Sequence, residues 1–463
     1  MTTSTSLEHL PTEILSQICI QLNEDGGSHI LRLSLTSRRF RVITVPHIFE
    51  RLSFMTPPYS NILDENTTDS RIGLLRTVVT NPKIAFEVKD IEGLFGGKGQ
   101  MAKEDLDIII RATNDFGITP PKALTRLYEQ LRPLETVPDI QFGLNHGVCK
   151  HLSCFMTEML VAHTPNLRSL EYNVHGCSNA FKTLEEAVRT HFRVPLLPNL
   201  IDAYIELNGP ADQVNSLAEA APALDSLWLR SVCGLQSGMQ FNSVRVLILT
   251  QVDLSPAELK KLLSGFPGLK KFWFTSSYRL MRMGGTSQLC RPQEVVDALC
   301  GLNLGITELT LHFNSWDCHE PSQDSHIPLP GLLTSIQGLD KLEDLDFDGM
   351  CFWGRGYFLH GSPTYDPVKV QALARLLPCS LKKLTLTNLK NGPFYEDLEA
   401  LPERVSEILP ELRVLECGLR HGKKMPQDKL RYLTERFTAQ GVKFQDSANI
   451  HSSDDEDSQI TWA

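Results

Sequence analysis

The sequence lacks any stretch approaching the ~20 consecutive apolar residues of a membrane helix, so no membrane partner is expected. Its first ten residues, Met1 to Leu10, have neither the basic start nor the apolar run of a signal peptide. The 11 cysteines, scattered from Cys19 to Cys417, are odd in number and follow no framework spacing. That pattern suits reduced thiols and predicts a cytoplasmic or nuclear protein. Positive charge is in deficit: the formal net charge of -10 argues against nucleic acid as a partner, because such binding rests on phosphate neutralisation by Lys and Arg. Proteins are the partners to expect.

Recognisable catalytic machinery is also missing. There is no Gly-x-Ser-x-Gly elbow and no His-Glu-x-x-His pair. The run Gly93-x2-Gly96-Gly97-Lys98-Gly99 has the composition of a phosphate loop but neither its glycine interval nor a Ser or Thr after the lysine, and reads as a turn. His146, Cys149, His151 and Cys154 offer four ligand types, yet their spacing is not that of a common zinc site and no second pair follows at finger distance. They read as loop histidines beside small buried thiols. Cys318, His319 and His360 stand singly in loops without a partner to complete a reaction centre. The expectation is a protein that is not an enzyme, with no cofactor and no metal.

What the sequence does have begins at its N-terminus. Pro11 can occupy the first turn of a helix, where Glu13 meets the positive end of the dipole. Ile14, Leu15, Ile18, Cys19 and Leu22 then recur at helical spacing. Asp25-Gly26-Gly27 breaks that helix. Ile30, Leu31, Leu33 and Leu35 open a second apolar segment, and Ser37 to Ile43 lead into a third that Pro46 is expected to stop. Three short helices make a poor core alone and call for a partner.

These residues resemble the F-box family. The match is carried by Leu10-Pro11-Thr12-Glu13-Ile14-Leu15, by Ile18 and Leu22, by the segment from Leu31 to Phe40, and by Pro46 with Phe49, over about Leu7 to Phe54. Phe40 stands where the family often has Trp, and the Gly26-Gly27 loop is longer than usual. The resemblance implies docking onto a Skp-type adaptor, and through it onto a cullin, with Leu10, Pro11, Ile14 and Leu31 facing the adaptor.

From Leu167 a pattern of apolar-x-x-apolar-x-apolar returns nine times, beginning at Leu167, Leu200, Leu224, Val244, Leu269, Ile306, Leu342, Leu381 and Leu412. The intervals are 33, 24, 20, 25, 37, 36, 39 and 31 residues, against ~20–29 for leucine-rich repeats, which makes this the irregular kind with insertions. Capping boxes at Ser255-Pro256-Ala257-Glu258 and Thr183-Leu184-Glu185-Glu186, and Asp366-Pro367, predict helices between strands. The fold class is therefore α/β: a three-helix F-box followed by an irregular leucine-rich-repeat solenoid, parallel strands inside and helices outside. The expected domains are a flexible 1–6, the F-box at 7–54, a helical linker with degenerate first repeats at 55–164, the solenoid at 165–445, and a disordered acidic tail at 446–463. Within the linker, Ile72 to Asn81 reads as a helix ending before Pro82, Phe86, Val88 and Ile91 as a strand, and Leu124 to Leu134 and Phe155 to Ala162 as helices. The degenerate first repeat resembles that of fungal-type F-box proteins.

In each repeat the lone x points away from the apolar spine, because side chains alternate along a strand. That position holds Glu171, Tyr204, Trp228, Ile248, Trp273, Thr310, Asp346, Thr385 and Glu416. The run Tyr204, Trp228, Ile248, Trp273 reads as an apolar ladder, a candidate substrate-binding surface. Three long loops, Ser276 to Arg291, Asn314 to Pro330 and Gly349 to Tyr365, gather further aromatic and arginine side chains at one rim, with Trp316 and Trp353 as the competing anchors. The function expected is the substrate-recognition subunit of a Skp–cullin–F-box ubiquitin ligase. A non-degradative F-box scaffold and a small-molecule enzyme or sensor on a solenoid remain open beside it.

Overall fold

The computed structural model describes residues 7, 10–24, 28–53, 70–94, 100–101, 103–122, 124–125, 129, 140–141, 146–173, 181–190, 195–276, 290–313, 333–353, 372–389, 398–419 and 424–446. The acidic tail beyond Asp446, which itself ends the last strand, most of the three rim loops, Trp316, the Asp366-Pro367 helix start and most of Leu124 to Leu134 lie outside the described residues. The chain forms two compact units, Met1–Leu227 and Trp228–Ala463.

The first unit opens with α1 (Thr12–Glu24), α2 (Ser28–Ser34) and α3 (Arg38–Glu50). Pro11 lies just outside α1 and supplies the carbonyl that accepts the first helical bond, from Leu15. The helical stripe buries only part of itself. Leu15 and Cys19 are buried with Ile30 and Phe40, whereas Ile14 is exposed. Ser37 caps α3 by accepting from the Phe40 amide, as its residue type favours. Pro46 does not stop α3, contrary to expectation; the helix runs through it to Glu50. A proline costs a helix one donor, and here packing holds the last turn: His47 reaches back to Ser16 Oγ at 2.8 Å.

The strand β1 (Arg51–Ser53) follows α3 directly. Next come α4 (Ser70–Thr80), α5 (Pro82–Glu87), β2 (Asp90–Leu94), β3 (Gln100–Met101), α6 (Lys103–Asp115), β4 (Ile140–Gln141) and α7 (His146–Ala162). The helix before Pro82 is present. Phe86, expected in a strand, is instead helical, because Pro82 opens a second helix at its first position and the strand begins only at Asp90. The histidines and cysteines from His146 to Cys154, read as a loop, lie in the first turns of α7. The strands β5 (Ser169–Asn173) and β6 (Asp202–Gly209), with α8 (Lys182–Thr190) between them and α9 (Asn215–Ala220) after, complete the unit. Pairing is parallel, β1 with β2, β2 with β5 and β5 with β6, and it aligns Ile91 with Leu170 and Leu170 with Ala203 on the buried side.

The second unit takes the rest of β7 (Ser226–Val232), then β8 (Val246–Val252), α10 (Pro256–Leu263), β9 (Lys271–Ser276), α11 (Pro292–Gly301) and β10 (Glu308–His312). It continues through β11 (Asp344–Asp348), α12 (Gly349–Trp353), α13 (Ala372–Leu376), β12 (Lys383–Leu389), α14 (Val405–Ile408), β13 (Val414–Leu419), α15 (Gln427–Thr438) and β14 (Lys443–Asp446). From β8 to β14 each strand pairs in parallel with the next, and the register lines up Leu247, Phe272, Leu309, Leu345, Leu384, Leu415 and Phe444. All seven are buried, so every repeat completes the core of its neighbour. Phe444 adds a rung that the sequence pattern had stopped short of. The box at Ser255 and Glu258 is present in full.

Three strands end alike. Ser231, Gln251 and Asn388, two residues after the last spine position, adopt left-handed backbone conformations with φ of 57°, 55° and 53°. In β8 and β12 the register shifts there, as a bulge requires. Between repeats, a Cβ on Gly265 would stand 2.2 Å from the Met239 carbonyl oxygen, so only glycine lets these turns approach.

Candidate protein-interaction surfaces

The first surface lies on the short N-terminal helices. Ile14 is 44% exposed, Leu31 51%, Leu35 75% and Val42 69%. Leu10 is half-buried and Pro11 exposed, and Arg39 ties the segment down by donating to the Leu10 carbonyl at 2.8 Å. Of the four residues singled out from sequence, then, three are open to solvent. Leu35 and Val42 join the exposed set; the signal for them was a run of apolar residues too dense for so small a core.

The second surface is the inner row of the strands. In the first unit Tyr204 is half-buried and pairs in register with Glu171. Its surroundings are acidic rather than apolar. Burial pushes the Glu171 carboxyl above the usual range, and Glu92 and Glu206 push it further. Asp202 is raised in the same way by burial, Asp225 and Asp90. In the second unit Trp228, Ile248 and Trp273 are half-buried, not fully open. Both indoles are anchored: Trp228 donates to Thr250 Oγ1 at 2.8 Å and Trp273 to Thr275 Oγ1 at 3.0 Å. The Trp273 ring meets His312 edge-on at 5.9 Å, and His312 lies 3.3 Å from Asp346. Of the rim anchors, Trp353 closes α12 and Trp316 lies outside the described residues.

Two buried carboxylates hold backbone in place, and sequence reasoning missed both. Glu158, on α7, accepts from the amides of Phe181 at 2.6 Å, Thr183 at 2.9 Å and Leu184 at 3.1 Å. The start of α8 is therefore satisfied by a remote side chain instead of the expected Thr183 box, and the negative group sits at the positive helix end. A lone carboxylate within Cys154 to Ala162, otherwise apolar but for Thr157, was the available signal. Asp348 accepts from Phe313 N at 2.6 Å and Cys351 N at 3.1 Å, linking neighbouring repeats. Burial raises its pKa despite His312 and these donors.

The first unit also holds a cavity of ≈ 580 Å³ bordered by Val78, Pro82, Phe86, Phe116, His163 and Leu196. His163, one residue past α7, bonds the Met159 carbonyl 2.7 Å away, and burial lowers its pKa, which favours the neutral ring. Among the described residues no group of three or more His, Cys, Asp or Glu could hold a metal ion. No described helix is long and apolar enough to cross a membrane.

Residues 7–55 match the family described as F-box-like. Among solved structures, the chain is similar to the leucine-rich repeat-containing protein LegL7 from Legionella pneumophila, with 16% identity and a TM-score of 0.36, over 61% of this chain and 84% of that one. No curated protein matches. The architecture is an F-box-like segment followed by parallel strands with helices between them.

Proposed function

We propose that the chain is the substrate-recognition subunit of a Skp–cullin–F-box ubiquitin ligase, working in the cytosol or nucleus. The observation that carries this reading is the set of exposed apolar side chains on the F-box-like segment, led by Leu31 and Leu35. Large apolar residues exposed on so short a domain are costly in water unless a partner covers them, and a Skp-type adaptor is the partner that the F-box resemblance implies. Leu10, Pro11, Ile14 and Leu31 would face that adaptor. The boundaries that go with this reading are an F-box over 7–54 and a substrate-holding solenoid over 165–445.

The strand ladder would hold the protein target, with Tyr204, Trp228, Ile248 and Trp273 on its inner row and Trp316 and Trp353 on the competing rim. The contribution to rate is proximity: a target held near a recruited conjugating enzyme presents its lysines at high effective concentration. No residue of the chain needs to break or form a bond. The non-degradative scaffold is the second reading, and it shares the adaptor but not the cullin.

The test is an affinity purification with proteasome inhibition, followed by mass spectrometry. Adaptor, cullin and a stabilised target support the ligase; adaptor alone supports the scaffold. The double change Leu10→Ala/Pro11→Ala should weaken the adaptor by ~3 kcal/mol, over 100-fold. An unchanged pull-down by a folded variant rejects the F-box reading.

A further inference from the structure

The inner row of the second unit changes character along its length, and the change is written in the register. Ile248 pairs with Trp273, Trp273 with Thr310, Thr310 with Asp346, Asp346 with Thr385, and Thr385 with Glu416. One end is therefore hydrocarbon and the other acidic. At the hydrocarbon end both indole donors are already bonded within the protein, to Thr250 and Thr275, so the rings offer apolar faces. At the acidic end Lys271 answers Glu308 at 2.8 Å and Lys383 answers Glu416 at 3.1 Å. Lys383 also serves Asp344 and Asp346, and His312 lies 3.3 Å from Asp346, so among the described residues of this stretch the carboxylates Glu308, Asp344, Asp346 and Glu416 outnumber the lysines Lys271 and Lys383. Burial raises the Asp344 carboxyl, and the neighbouring Glu308, Asp346 and Glu416 add to the rise despite Lys383.

We infer that this row takes an extended segment of a protein partner carrying an apolar side chain and a lysine or arginine about three residues apart. The inference rests on the reading of the inner row as the target-binding surface, and it names the chemistry of the target. The spacing follows from geometry. Neighbouring parallel strands lie ~4.8 Å apart, so Trp273 and Asp346, two rungs apart, are separated by about 10 Å. An extended chain crossing the strands advances ~3.3 Å per residue and covers that distance in about three. An acidic or phosphorylated segment would meet Asp344 and Asp346 with like charge, and a wholly apolar one would bury them without a counter-ion.

The experiment is selection of a random displayed peptide library against the intact chain, followed by fluorescence anisotropy with the enriched peptide. Enrichment of an apolar residue two to four positions from Lys or Arg supports the inference. The winning peptide should lose affinity about tenfold on Asp346→Lys, and a peptide with Glu in place of its basic residue should recover it. Asp346→Asn gives a smaller loss of the same sign and serves if the lysine variant fails to fold. Selection of acidic, phosphate-mimicking or uncharged peptides overturns the inference, as does indifference to both Asp346 changes. Trp228→Ala and Trp273→Ala separate the two levels. If they abolish binding while the charge changes do nothing, only the basic requirement fails. If they leave binding intact, the inner-row reading fails with it.

Discussion

In the F-box-like segment Leu15, Cys19, Ile30 and Phe40 are buried while Ile14, Leu31, Leu35 and Val42 face water; along the ladder Phe272, Leu309, Leu345, Leu384 and Leu415 are all buried. The residue types are the same and the outcomes opposite. A strand of the ladder has a neighbour of its own kind on each side, and parallel register puts leucine over leucine. Among the described residues the three short helices have no next repeat, and part of their apolar surface stays exposed. Fully burying one such side chain stabilises by about 1.5–3 kcal/mol. The surplus on the helices is thus stabilisation left unrealised among the described residues, whereas the ladder has already realised its own.

The comparison breaks most visibly at the spine. Leu345→Ala should cost about 2–5 kcal/mol by loss of transfer energy and creation of a cavity, read as a lower urea midpoint. Leu35→Ala, on the exposed side of the helices, should stay within about 0.5 kcal/mol in the same assay. Equal costs would mean that Leu35 belongs to a core. The next effect is on binding. Leu31→Ala with Leu35→Ala should weaken adaptor binding by about 2–3 kcal/mol, measured by calorimetry, with the thermal midpoint unchanged. A lost midpoint instead would make those leucines structural.

A smaller effect sharpens the contrast from the polar side. Glu158→Gln keeps the shape but leaves one oxygen to serve the amides of Phe181, Thr183 and Leu184. One or two buried N–H groups then lose their acceptor, at a cost of about 1–3 kcal/mol. Hydrogen exchange should localise the loosening to Phe181 through Thr190. Protection unchanged there would mean that the helix start is held by its own sequence.

What the sequence made legible was what period and spacing carry. Apolar-x-x-apolar-x-apolar reads directly as parallel rungs, and Ser255 with Glu258 reads directly as a helix start, because both signals are local. Pro46 and Phe86 were misread for the same reason in reverse: a proline is a strong local signal, and it yielded to packing in one case and opened a helix in the other. Glu158 was invisible because its partners stand more than twenty residues away. On the inner row, alternation told which residues leave the spine but not that Thr250 and Thr275 anchor the indoles. Side-chain pairing between rungs depends on loop lengths, which the irregular intervals hide.

The ladder is not free of surplus either; in the first unit it carries a surplus of charge. Glu171 is raised above the usual carboxylate range by burial, then by Glu92 and Glu206, with no cation among the causes. A carboxyl raised in the folded state binds its proton more tightly there than in the unfolded chain. Below the usual carboxylate range both states are protonated and the group is neutral to stability. As pH rises through that range the unfolded chain ionises first, so stability falls, and the penalty is complete once the folded carboxyl has also ionised. Glu171→Gln removes the charge while keeping the shape. It should therefore leave the urea midpoint unchanged near pH 4 and raise it at pH 7, by less than about 1 kcal/mol given the solvent that reaches the row. A gain of equal size at both pH values would assign the effect to packing. A loss at pH 7 would mean that Glu171 is compensated by a cation, and that the row Glu92, Glu171, Glu206 is no counterpart to the exposed leucines.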